Sequence, residues 1–204
     1  ALEIDPEDLT LHDGKVCVRG APERSLSYAE IAHLALPGAA LKRGFDPGLS
    51  QESFFASDQR PFPYGVHVAV VEVDRETGTV KVLDYLIAED VGKKINPMLI
   101  EGQMAGGLAQ GIGGALLEEF VYDADGQPLS TSFMDYLIPT AMEVPRAQLV
   151  STEEFPTPLN PLGVKGAGEG GITAVGAALA NAISEALGVE VTRLPMKPDY
   201  VHEL

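Results

Sequence analysis

The sequence predicts an α+β fold of β-hairpins interleaved with helices, and two patterns carry that class. Alternating apolar residues at Val66, Val68 and Val70 continue to Val73, break at Asp74–Gly78, and return from Val80 to Val91. Period two on both sides of a polar, glycine-ended turn predicts a β-hairpin. Downstream, Ile172, Val175, Leu179, Ile183 and Leu187 recur at intervals of three and four and stop at Gly188. That period predicts a helix with one buried face and a glycine C-cap. The elements lack the regular strand–helix–strand alternation of a parallel sheet.

Taken in order, residues 1–36 predict a small β-hairpin plus helix. His12-Asp13-Gly14-Lys15 supplies the turn, and Ser27 with Glu30 three residues later forms a capping box for a helix to about Leu36. Residues 37–63, with Pro37, Pro47, Pro61 and Pro63, predict a long irregular loop. Residues 64–204 form the main α+β unit. Within it Asn96-Pro97 starts a helix over about 97–118. That helix carries Gly102, Gly106, Gly107, Gly111, Gly113 and Gly114. Interior glycine costs up to about 1 kcal/mol each relative to alanine, so close approach of a backbone or ligand is expected there. Short strands are expected around 119–123, 128–133 and 147–153, with a turn at Asp123–Gly126, and one helix is expected from Gly171 to Gly188.

Composition bounds the function. The 204 residues carry 14 basic and 30 acidic side chains, a formal charge of −16. Such a surface repels nucleic acid and anionic membranes. The single Cys17 excludes an internal disulfide and a thiolate metal cluster, which suits a reducing cytoplasm. No signal peptide is expected, and no bilayer span, because the low-charge run Met98–Leu117 contains Glu101, Gln103 and Gln110. The absence of an initiator methionine fits a piece of a longer protein. His12, His33, His67 and His202 show no metal-ligand spacing and are expected to be structural or surface residues.

The stretch Gly163–Gly171, GVKGAGEGG, is the focal motif. Gly166, Gly168 and Gly171 satisfy a dinucleotide-binding pattern, and Glu190 stands where a ribose-binding acid would. That pattern needs a buried strand just before it, whereas Pro156, Pro158 and Pro161 precede it here, so a nicotinamide-binding dehydrogenase is rejected on context. What remains is a glycine-rich loop whose amides can hold an anion, with Lys165 as a local positive charge. Glu169 has two readings: an acid favoured in a first helical turn, or a carboxylate presented to a ligand between Gly168 and Gly170.

Lys165-Gly-Ala-Gly-Glu169 resembles the K-G-x-G-E segment of the molybdenum hydroxylases: aerobic carbon monoxide dehydrogenase-like proteins, aldehyde oxidases and xanthine dehydrogenases. Asp90-Val-Gly-Lys-Lys-Ile-Asn-Pro97, Glu101–Gly111 and Ser132–Thr140 resemble three further blocks of that family in the same order. The resemblance is to the C-terminal part of the large subunit. It implies a molybdenum-cofactor-binding domain type of fold and an oxidoreductase that hydroxylates a small substrate: an aldehyde, an N-heterocycle or purine, or carbon monoxide. It implies a molybdopterin cofactor, as the cytosine dinucleotide, with molybdenum. Gln103, Gly106, Gly107, Gln110, Lys165, Gly166, Ala167 and Gly168 are then cofactor-binding, and Glu169 is the catalytic base, which burial would help by raising its proton affinity. No protein ligand to the metal is implied. The implied partners are the upstream half of the large subunit, an iron–sulfur subunit and an FAD-carrying flavin subunit. The chain alone is expected to be inactive and, with apolar surface uncovered, to self-associate. The alternative is a non-catalytic scaffold or assembly domain of the same fold that has lost the cofactor.

Overall fold

Asp13 and Gly14 take positive φ values of 46° and 71°, the left-handed pair that a two-residue hairpin turn requires. They join β1 (Leu9–His12) to β2 (Lys15–Val18). The computed structural model describes residues 1–57 and 59–204, which divide into two units, Ala1–Ala56 and Ser57–Leu204. In the first unit the structure adds a strand that the sequence reading did not contain. β3 (Ala21–Ser27) pairs antiparallel with β2 and completes a three-stranded sheet in the order β1-β2-β3. Pro22 and the charged Glu23 and Arg24 mask its strand character locally, and such residues belong on an edge strand. The capping box forms: Ser27 Oγ accepts from the Glu30 amide at 3.2 Å, and Glu30 Oε2 accepts from the Ser27 amide at 2.8 Å. It opens α1 (Tyr28–Leu34). The segment expected to be an irregular loop holds α2 (Pro37–Ala40) and a 3-10 turn at Leu41–Arg43; Asp58, within that expected loop, lies outside the described residues.

The second unit is built on the predicted hairpin. β4 (Tyr64–Val73) pairs antiparallel with β5 (Val80–Asp90). Asp74 Oδ1 accepts from the Glu76 and Thr77 amides at 2.9 and 3.3 Å and shapes the turn between them. The valines that revealed β4 do not face the core. Val66, Val68 and Val70 are exposed, and Ala69, Val71 and Val73 pack inward. Alternation fixes the period of a strand but not which face is covered. β6 (Ala147–Thr152) pairs parallel with β5 and gives the order β4-β5-β6. The strands expected at 119–123 and 128–133 reduce to one bridge, Tyr122 with Pro128, around the Asp123–Gly126 turn.

One face of this sheet is covered by helices. Asn96 caps α3 (Pro97–Ile112), accepting from the Leu99 amide at 3.2 Å, and a π-helical turn at Gly113–Leu117 ends it. The single helix expected after the glycine loop is broken. α4 (Gly170–Thr173) and α5 (Val175–Leu187) are separated at Ala174, and Gly188 caps α5 with φ 75°. Met104, Leu108 and Ile112 of α3 meet Val175, Leu179 and Ile183 of α5 over Tyr85 and Ile87 of β5 in one core cluster. Gly170–Leu187 is long and apolar enough to cross a membrane by length and composition, but its α5 part buries Val175, Leu179 and Ile183 in this core. A short α6 (Pro198–Glu203) closes over Gly78, where a Cβ would strike the Pro198 carbonyl and come within 2.9 Å of the His202 amide.

Candidate active site

The site is organised by two adjacent acids at the end of β5. Successive residues of a strand point to opposite faces, so Glu89 and Asp90 are buried in different surroundings. Asp90 is fully partnered. Its Oδ1 accepts from the Gly92 amide at 2.9 Å and from Lys165 Nζ at 2.8 Å; its Oδ2 accepts from Thr152 Oγ1 and the Phe155 amide, each at 3.1 Å. Burial pushes this carboxyl upward, but Lys165, the two amides and the hydroxyl outweigh it and hold the group at about 2. The pair is secluded, with side chains 8% (Lys165) and 4% (Asp90) exposed, and the Lys165 ammonium lies 4.4 Å from the centre of the Tyr64 ring. Lys165 therefore does not offer the free positive charge expected of it. It fastens the glycine loop to β5.

The loop is held at further points. The Lys93 amide donates to the Gly163 carbonyl at 3.0 Å and the Lys165 amide to the Val91 carbonyl at 2.9 Å. Gly92 has φ 64°, and a Cβ there would strike the Gly163 carbonyl. Beyond this clasp the chain reaches Glu169, which stands at the N-cap position of α4. Among the described residues its side chain makes no cap bond; only its carbonyl accepts, from the Ile172 and Thr173 amides at 3.1 Å each. The capping role that composition suggested has no bond to support it. The side chain is exposed, so this chain by itself does not supply the burial expected of it.

Two cavities adjoin the loop. One, of about 510 Å³, has Gln103, Lys165, Ala167 and Gly168 in its lining, together with Asn96 and Leu99 of the α3 start. The other, of about 270 Å³, has Glu169 and Gly170 in its lining, with Glu89, His67, Thr173 and Phe62. Four expected cofactor residues thus share one wall. Gln110 is exposed further along α3 and lies outside that lining, and exposed Gly166 packs near Pro63.

The glycines of α3 and of the π-helical turn that ends it divide by role. Cβ atoms at Gly107 would lie 2.8 to 2.9 Å from the backbone of Gly171 and Ile172, and at Gly111 2.6 Å from Val175. Gly113 is closed off by Glu118 and Pro139. These three are explained by packing. Apart from the chain neighbours and the helix's own backbone, no described atom lies within 4 Å of a Cβ at Gly102, Gly106 or Gly114. Amides inside an α-helix are used by its own ladder, so what α3 can present to a ligand is Cα surface and side chains. At Gly106 the helix offers bare Cα surface, and Gly107 is occupied by the backbone of α4.

Sequence reasoning missed Glu89 and the position of His67. Glu89 is 3% exposed, its Oε2 has no hydrogen-bond partner among the described residues, and burial pushes its carboxyl up. The signal was present: Tyr85, Ile87 and Glu89 occupy one face of β5, so an acid falls on an inward position. His67 bridges Tyr85 Oη (Nδ1, 3.0 Å) and the Gly170 carbonyl (Nε2, 3.0 Å). A carbonyl can only accept, so Nε2 carries the hydrogen and Nδ1 accepts from the tyrosine. Burial lowers the His67 pKa, with the Gly170 carbonyl opposing, and raises that of Tyr85 to about 12. His67 is thus a neutral strut that fixes the residue after Glu169.

Comparison with known proteins gives the family. The family described as the molybdopterin cofactor-binding domain matches residues 1–145. The gamma subunit of the 6-hydroxypseudooxynicotine dehydrogenase complex of Paenarthrobacter nicotinovorans is 43% identical over 98% of this chain and 25% of its own length. The carbon monoxide dehydrogenase large chain of Hydrogenophaga pseudoflava is 35% identical over 96% of this chain and 24% of its own. The solved quinoline 2-oxidoreductase of Pseudomonas putida 86 superposes on 99% of this chain and 26% of its own with a TM-score of 0.84 at 35% identity. The chain spans about a quarter of the length of these relatives. It belongs to the molybdopterin cofactor-binding domain family of the molybdenum hydroxylase large subunits.

Proposed function

We propose that this chain forms one wall of a molybdenum-cofactor site and that Glu169 is the base in oxidative hydroxylation of a small substrate. The observation that carries this reading is a carboxylate left without a structural bond at the end of a clasped glycine loop. Beside it Gln103, Ala167 and Gly168 line an open cavity. The residues present fit a pterin group: bare backbone at Gly106 and Gly168 permits close approach, and the Gln103 amide supplies both a donor and an acceptor. A bound molybdenum pterin supplies the two-electron acceptor for the reaction. Glu169 supplies a carboxylate oxygen that takes the proton released as the new carbon–oxygen bond forms. The Asp90–Lys165 pair holds the loop, so the carboxylate does not have to be ordered at the moment of reaction. The cytosine dinucleotide form, the iron–sulfur and flavin subunits and the rest of the large subunit complete the proposal, and aldehydes, N-heterocycles and carbon monoxide define the substrate range. The scaffold alternative has no comparable support, because packing does not explain Gly102 and Gly106.

The test is turnover per bound molybdenum in the complete enzyme carrying Glu169→Gln. Loss of a general base predicts a fall of about 10²- to 10⁴-fold with cofactor content retained. A rate near wild type refutes the assignment.

A further inference from the structure

Glu89 has no place in the role proposed for Glu169, yet it is the more unusual acid. Its side chain runs between two glycines. A Cβ at Gly65 would lie 2.8 Å from Glu89 Cγ and 2.6 Å from the Ala88 carbonyl, and a Cβ at Gly170 would strike Glu89 Oε1. The carboxyl group therefore lies directly against the residue that follows Glu169. Both acids line the same cavity of about 270 Å³. The groups facing Glu89 there are His67 and Tyr64 from β4 and Glu169 from the loop, and among the described residues the lining holds no lysine or arginine. Lys165 pairs instead with Asp90, and the ring nitrogens of His67 are engaged by Tyr85 and Gly170.

We propose that Glu89 is a second carboxyl group of the Glu169 site, a positioning residue whose charge state is coupled to that of Glu169 across their shared cavity. Its catalytic meaning rests on Glu169 being the base. Two carboxylates in one cavity without a cation cannot both ionise at their ordinary cost. The cost falls first on the buried, unpartnered one, in the direction that burial already pushes it. Glu89 thus holds its proton more firmly than an ordinary glutamate. Were it to ionise, it would place a second negative charge against the Gly170 backbone and tighten the hold of Glu169 on its proton.

The coupling is tested by ¹³C-carboxyl NMR titration of the 204-residue chain, with Glu89 assigned by the resonance lost in Glu89→Gln. If that variant does not fold, Glu89→Asp assigns it by moving the signal into the aspartate range. Glu89 is expected to titrate above the ordinary glutamate range. In Glu169→Gln, a change at an exposed position, its midpoint should fall by about half a pH unit or more. An ordinary midpoint for Glu89, or one unmoved by Glu169→Gln, overturns the proposal. The titration reads Glu89 whether or not Glu169 is the base, and turnover of Glu169→Gln reads the base whether or not the two titrate together.

Discussion

Gly106 and Gly107 are neighbours on α3 with opposite surroundings, and alanine at each separates packing from helix propensity. Alanine in a helix interior gains up to about 1 kcal/mol over glycine, and this gain is common to both positions. At Gly106 the new methyl meets no described atom within 4 Å beyond its own helix backbone and chain neighbours, so Gly106→Ala should be stabilising by up to that amount. At Gly107 the methyl would sit 2.8 Å from Gly171 C, 2.9 Å from its Cα and 2.9 Å from the Ile172 amide nitrogen. All three are backbone atoms, so no side chain can swing aside and α4 must move. Overpacking of this kind costs about 1–3 kcal/mol. Because the propensity term cancels in the comparison, Gly107→Ala should be less stable than Gly106→Ala by about that whole amount. Urea unfolding followed by circular dichroism gives both midpoints at equal slope. Equal stability of the two variants, or a more stable Gly107→Ala, would refute the close approach of α3 and α4. The proposed function adds a dissociation: Gly106→Ala should fold better yet retain less molybdenum in the complete enzyme.

Lys165→Met should destabilise the chain by about 3–5 kcal/mol at neutral pH, because it leaves the buried Asp90 carboxylate without its cation; a urea midpoint close to wild type would show the pair to be dispensable. Asp90 also sets an acid limit. Its folded-state value of about 2 lies below the ordinary 3.8, so its stabilisation is complete above the ordinary value and is lost as pH falls from about 4 toward 2. Urea midpoints measured across that window should fall steeply in the wild type and much less steeply in Lys165→Met.

Local signals in the sequence translated directly into structure. Asp13-Gly14, Asp74–Gly78, Ser27 with Glu30, Asn96-Pro97 and Gly188 each act within a few residues of chain, through backbone conformation or a side-chain bond to a nearby amide, and each stands where its chemistry required. What depended on distant partners was not legible. Whether Val66 or Ala69 faces inward is decided by α5 and not by β4. The strands at 119–123 and 128–133 found no partner beyond one bridge. The helix after the loop breaks at Ala174, where no proline marks it. At the site, the motif residues Asp90, Lys165 and Glu169 were visible as a pattern, but their division of labour was not. Lys165 proved to be an internal clasp because its partner lies 75 residues away, a separation that no spacing argument reaches.

The apposition of α3 and α4 has a mechanical consequence. A Cβ on Gly171 would lie 2.5 Å from the Met104 carbonyl oxygen and 2.7 Å from its Cα, so no layer of side chains cushions the two helices. An apolar core ordinarily absorbs substitutions by shifting side chains between its elements, and between α3 and α4 there are none to shift. Exchanging leucine for methionine elsewhere in the core would alter stability without displacing α4, and Glu169 rides on the first residue of α4. The register of the carboxylate is thus inherited from the backbone of α3 and is insulated from drift in the apolar composition around it.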